Sequence, residues 1–316
     1  MFLRTFFPLF ALVWSFAGGG QPVSAQGLIW KLPEPGTWVK YQGNYTQVEN
    51  RPQDATNQDL VLDPPWQREL TIKALERSQQ PGENGEPVEV QWLEFVVETR
   101  SGQDGAIGGP GSRRIYKILV SVDEIQSRVG PPEEGSVVDD FEIPVSFLPI
   151  LKGYRKFDDQ TVTAISSPVF NVFPSVTLLN TYRKLEEIGE EDPDVQLPGI
   201  NTATHYRGSI TSSFRQVLEE TEQKAVEAGK KQADELLDLD NLSLVLENKG
   251  VRTLHTADMW YTPDAPFGLV RWNVNAERQT KPAFASRDQF ETASTYRVEM
   301  KAIETGQNAT SLLTEN

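Results

Sequence analysis

The chain has 316 residues, with 30 Lys and Arg against 45 Asp and Glu, a formal net charge of −15 and no cysteine. So acidic a chain is repelled by phosphate backbones, which excludes nucleic acid as an expected partner. Without cysteine there is no disulfide framework, no thiolate metal site and no thiol to carry a lipid.

The first expected element is a signal peptide over residues 1–25. Arg4 gives a positive start, Phe6 to Phe16 is an apolar run too short to span a bilayer, and Val23-Ser24-Ala25 reads as a small-residue cleavage site. The mature chain then begins near Gln26 and is extracytoplasmic, periplasmic or secreted.

From there the pattern is that of strands. Leu70, Ile72 and Ala74 alternate with Thr71 and Lys73. VEVQWLEFVVET (88–99) is apolar on both faces toward its end, as in a central strand. Tyr116, Ile118, Val120 and Val122 share one face. Period-two alternation of this kind predicts antiparallel strands with one wet face, and the turn-rich connectors 76–87 and 101–112 predict a meander.

Two segments carry a helical period. Leu178, Leu179, Tyr182 and Leu185 predict a short helix over Val176–Glu187. From Phe214 to Leu237 apolar or small residues recur at helical spacing behind a Ser213/Gln216 capping box, which predicts a helical insertion near 213–238. Between them, 190–199 reads as a loop leading into a strand at 201–210. Tyr296, Val298, Met300 and Ala302 then predict a last strand, and 305–316 a flexible tail. The domain expected is a single β-rich one over 26–304.

Chemistry-bearing motifs are few. The only histidines, His205 and His255, lie in ordinary strand positions, with a ligand contact or general base as the other reading. No H-E-x-x-H or G-x-S-x-G occurs, and GQDGAIGGPGS (102–112) lacks the lysine and following helix of a P-loop. Asp238, Asp240 and Asn241 fail the calcium-loop register, because Leu242 falls where a ligand belongs and Ser243 where glycine belongs. Asp139/Asp140 and Asp158/Asp159 read as surface acids. Asn44, Asn241 and Asn308 head N-x-Ser/Thr sequons. No metal and no cofactor is expected.

The most structured stretch is HTADMWYTPDAPFGLVRWNV (255–274), a hairpin whose first strand turns Met259 and Tyr261 one way and Asp258 and Trp260 the other. Pro263 and Pro266 end that strand, and Gly268 frees the return. MWYTPDAPFGLVRW, preceded by LPGINTATHYRG (197–208), resembles a pattern in secreted bacterial proteins similar to the LolA/LolB-like half-barrels of the periplasm. There a curved antiparallel sheet wraps an apolar groove closed by helices.

The fold expected is therefore mainly β (α+β): a curved antiparallel sheet, half-barrel-like, with one or two helices covering or flanking one face. The function expected is that of a non-enzymatic envelope protein binding an apolar, lipid-like ligand or an envelope partner. Trp38, Trp92, Phe95, Ile118, Val120, Met259, Tyr261 and Val298 are the candidate groove lining. The same side chains interdigitating as a dry core is the competing expectation. A carboxylate hydrolase using Asp258 and Asp264 on envelope glycans or esters is a second reading, and a purely structural β domain a third.

Overall fold

The computed structural model describes residues 28–49, 60–61, 66–82, 85–100, 112–126, 148–170, 176–179, 182, 185–213, 250–281, 286 and 289–313. Alternating sequence becomes one 12-stranded antiparallel sheet. Its strands are β1 (Trp38–Glu49), β2 (Leu60–Val61), β3 (Trp66–Pro81), β4 (Pro87–Arg100), β5 (Arg113–Ser121), β7 (Lys152–Phe157), β8 (Thr163–Ala164), β10 (Leu185–Glu191), β11 (Ala203–Ser213), β12 (Gly250–Tyr261), β13 (Leu269–Lys281) and β14 (Glu291–Gly306). A separate pair joins β6 (Leu148–Pro149) to β9 (Val169–Phe170). The order β10-β11-β12-β13-β14-β1-β3-β4-β5-β7-β8, with β2 beside β1, leaves β10 and β8 as edges, so the sheet is not closed into a barrel.

Strand parity divides the side chains between two faces. On β14, Val298, Met300 and Ala302 are buried while Arg297, Glu299 and Lys301 point the other way. Val39 and Tyr41, Leu70 and Ile72, Leu93 and Phe95, Ile118 and Val120, Met259, and Trp272 and Val274 continue the apolar face. Close approach shapes the centre of the sheet. A Cβ at Gly43 would run into the carbonyl oxygen of Glu299, so β1 and β14 pair there only because residue 43 has no side chain.

The apolar face is not covered by helices among the described residues. The β6–β9 pair (Leu148, Phe170) and irregular segments cover it: Leu28–Trp30, Ile150, Val176, Leu179, Tyr182, and Phe267 of the β12–β13 turn, all in one core cluster. The segment at 176–178 is held by its carbonyls. Arg68 donates to Val176 O (2.6 Å), Trp272 Nε1 to Thr177 O (3.2 Å) and His255 Nε2 to Leu178 O. A segment too short for an internal helical ladder leaves its carbonyls without internal partners, and these inward-facing side chains satisfy them.

The short helix expected over Val176–Glu187 is corrected accordingly. Among its described residues only Val176 and Thr177 are helical; Leu178 takes φ 57, which ends any right-handed turn, and Leu185–Glu191 is edge strand β10. Leu178, Leu179, Tyr182 and Leu185 all pack on the core, but from coil and strand. The expected insertion helix at 213–238 lies outside the described residues apart from Ser213, the last residue of β11. The described helix is α1 (Val122–Gln126), a single turn after β5 that contributes Ile125 to the core cluster.

The tail expected from residue 305 also takes a different form. β14 runs on to Gly306, and residues 307–313 lie back over the opposite face of β3, β4 and β5. Ala309 N donates to Gly36 O (2.8 Å), and Leu313 packs on Val96 and Ile115. The anchor is Glu94, fully buried, whose carboxylate accepts from Lys73 Nζ (2.7 Å), Ser311 Oγ (2.8 Å), Leu312 N (2.8 Å) and Leu313 N (3.3 Å). This cover is why β4 is buried on both faces.

Candidate functional site

The eight expected groove residues divide between the two faces. Phe95, Ile118, Val120, Met259 and Val298 share the apolar face and are each 3% exposed or less. All five belong to the cluster that the irregular segments cover. Tyr261, displaced by a bulge after Trp260, stacks on Trp30 with ring centroids 5.2 Å apart. Trp38 and Trp92 have the opposite parity. Trp38 donates to Gln307 O (3.3 Å), and Trp92 stacks on Tyr154 with Lys117 Nζ 4.8 Å from its ring centre. These eight therefore do not form one lining.

The open concavity is on the other, polar face. Antiparallel register aligns Asp258, Asn273, Glu299, Asn44 and Gln67 in one cross-strand row. Thr256, Asn275, Arg297 and Thr46 form the next row. A depression of about 590 Å³ lies over β12, β13, β14 and β1, lined by these residues other than Gln67, together with Val274 and Val298. A second, of about 430 Å³, is lined by Gln42, Gln67, Asp194, Gln196 and Lys301 among others. Asn44 and Glu299 line both, so the two make one trough.

At one end of the trough the charges are already paired. His205 Nε2 lies 2.9 Å and Arg207 Nε 2.7 Å from Asp258 Oδ1. His205 also stacks on Trp260 (centroids 4.6 Å apart), whose indole N–H donates to Glu191 (2.6 Å), and Arg271 lies over the same ring. Arg271 and Lys301 approach Glu299 at 3.0 and 3.5 Å. Lys301 also reaches Asp194 at 2.6 Å, and its hydrogen bond and charge hold that carboxyl below the usual range. The floor is different: Asn273 Oδ1 is a buried acceptor with no hydrogen-bond partner among the described residues.

Asp258 and Asp264 do not share a site. Asp258 faces the trough between His205 and Arg207, whereas Asp264 lies in the turn after β12, its backbone N–H bonded to Thr262 Oγ1 (3.4 Å). Among the described residues no group of three or more His, Asp or Glu side chains is arranged to hold a metal ion. His205 thus sits in the trough network, while His255 faces the core between Tyr182 and Leu178, where burial pushes its pKa down.

Asn273, Asn275, Thr46 and Thr256 were not singled out by sequence reasoning, and Asn44 only as the head of a sequon. Each sits at an ordinary wet-face strand position; the signal that unites them is cross-strand register. No protein-family model matches the chain, and no curated protein matches it.

Proposed function

We propose that the chain is an extracytoplasmic, non-enzymatic binding protein of the cell envelope whose polar sheet face receives a glycan chain. The observation that carries this is the trough, floored by the amides of Asn44, Asn273 and Asn275 and the hydroxyls of Thr46 and Thr256, with one buried acceptor unused. An amide both donates and accepts, which suits a ligand whose hydroxyls do the same. Leaving such an acceptor unpaired costs about 1–3 kcal/mol. Four strands spaced about 4.8 Å apart make the trough long enough for several sugar units rather than one.

The curved, half-barrel form belongs to the same reading. Arg68 on β3 and His255 on β12 reach carbonyls only two residues apart, although β1, β14 and β13 separate their strands in the sheet. Curling of the sheet about its apolar face supports the likeness to LolA/LolB-like half-barrels. That likeness also supports a lipid-like ligand as the second reading, in which an acyl chain replaces irregular cover such as Val176–Leu179. The observation favouring it is that this short cover is held by hydrogen bonds from side chains to the carbonyls of 176–178.

Compartment and ligand are tested in one preparation. Protein exported to a bacterial periplasm is expected to begin at Gln26; exported chain beginning at Met1 would remove the signal peptide from the proposal. Titration of that protein with soluble cell-wall glycan fragments is expected to give saturable heat. Asn273→Ala combined with Asn44→Ala is expected to weaken binding at least about tenfold, the equivalent of 1.4 kcal/mol. Absence of saturable glycan binding, or unchanged affinity in the double variant, would defeat the glycan reading.

A further inference from the structure

A second polar feature lies on the opposite, apolar face, at the end of the sheet where β3, β4, β5 and β7 meet. Register places Leu70, Val97, Arg114 and Phe157 in one row, with Arg68 one row away on β3 and Arg155 and Tyr116 side by side in the next row. Arginine on a face otherwise given to Leu, Val, Ile and Phe demands an explanation. A guanidinium keeps its charge and needs acceptors or anions when it leaves water.

The arginines crowd one another. Burial and the neighbouring Arg114 charge bring the Arg68 pKa down to about 10. The Tyr116 hydroxyl is pushed up by burial, while the neighbouring charges of Arg114 and Arg155 pull the other way. Arg68 is 7% exposed and is committed to the Val176 carbonyl, with its guanidinium 5.3 Å from the Tyr45 ring centre. Arg155 is exposed, bonds Thr163 Oγ1 (3.3 Å) and lies over Phe157. Among the described residues neither Arg114 nor Arg155 has an ion-pair partner, and Arg114 Nε is a buried donor with no acceptor. The described carboxylates nearest in the pairing pattern, Glu98 and Glu69, face the other side of the sheet and pair with Arg100, Arg113 and Lys40.

We infer that Arg114, Arg155 and the Tyr116 hydroxyl form an oxyanion-binding site, open to solvent on the Arg155 side, that takes a phosphate or carboxylate group. Two guanidiniums and a phenol supply the donors such a group accepts, and guanidinium geometry matches it in bidentate fashion. An anion there also relieves the repulsion between Arg114 and Arg68. On a chain of net charge −15 this is a local reversal of sign, so binding depends on these side chains and not on a general cationic surface. Phe157 and Phe170, both packed on Tyr116, place apolar surface beside the site, so an anionic headgroup with an alkyl tail and a free oxyanion share the same recognition.

The test titrates the full mature protein with inorganic phosphate, dodecyl phosphate and dodecanol. Saturable binding of either phosphate probe, with none by dodecanol, is expected. Equal affinity for both phosphates assigns a free oxyanion, and at least tenfold tighter dodecyl phosphate assigns an amphiphile head. Arg114→Gln with Arg155→Gln is expected to weaken binding at least tenfold while leaving the thermal midpoint unchanged or raising it, since like charge has been removed. Binding by neither phosphate, equal binding by dodecanol, or a variant that loses stability yet binds as before would overturn the site.

Discussion

Met259→Asp is expected to abolish the folded state. Met259 is fully buried, paired across the sheet with Tyr206 on one side and Trp272 on the other, and belongs to the main core cluster. A carboxylate there has no described cation to meet and must be buried charged or protonated. The cost, together with lost methionine packing, is expected to exceed about 4–5 kcal/mol, within the range that only buried-charge and cavity mechanisms reach. A domain of ordinary stability has about 5–15 kcal/mol to lose, so little native protein survives. Met259→Leu, which nearly conserves volume, is expected to cost less than about 1.5 kcal/mol. Urea unfolding followed by circular dichroism separates the two. A Met259→Asp protein with a native spectrum and midpoint would show room around residue 259, and the acyl-ligand reading would gain at the expense of a packed core.

The second large effect is expected at Glu94. Its fully buried carboxylate holds Lys73 on one side and the backbone of residues 312 and 313 on the other. Glu94→Gln removes the charge but keeps the shape. It leaves the ammonium of Lys73 with the Thr310 carbonyl and turns amide hydrogens toward groups that are themselves donors. Breaking one partner of a buried pair costs about 3–5 kcal/mol, because the other is left uncompensated. The strap over β3–β5 is expected to detach before the sheet melts. Hydrogen exchange is then faster at Leu312 and Leu313 than at β13, and proteases cut after residue 306. Unchanged protection at Leu312 and Leu313 would show that the strap is held by Leu313 packing instead.

These two residues show what could be read in the sequence and what could not. Met259 follows from alternation: once its strand is recognised, its partners on the apolar face follow by period two. Glu94 sits in the most apolar strand, and its role depends on a tail whose polar residues read as frayed. The hydroxyl of Ser311 and two backbone amides hold that tail, and backbone amides leave no mark in composition. The missing covering helix has a similar cause. Leu178, Leu179, Tyr182 and Leu185 carry a helical spacing because all four must reach one core, yet Leu178 reverses the backbone and Leu185 opens an edge strand. Spacing records which residues are buried, not the path between them. The trough lay furthest from view, since Asn44 meets Glu299 only when the first and last strands pair.

That pairing has a consequence for how the molecule is made. β1 and β14 lie side by side in the interior of the sheet, with Trp38 opposite Gly306 and Glu49 opposite Ser294. A growing chain thus holds β1 with one flank unsatisfied until β14 has been synthesised, and β14 is also what joins β10–β13 to the remainder. Contacts spanning nearly the whole described chain are the slowest to close, because loop entropy is lost before they form. A chain released without β14 loses a joint, not an edge: two half-sheets remain, each with an unpaired strand edge, β1 on one and β13 on the other. Pairing of β14 with β1 therefore commits the fold, because it joins the two halves of the sheet.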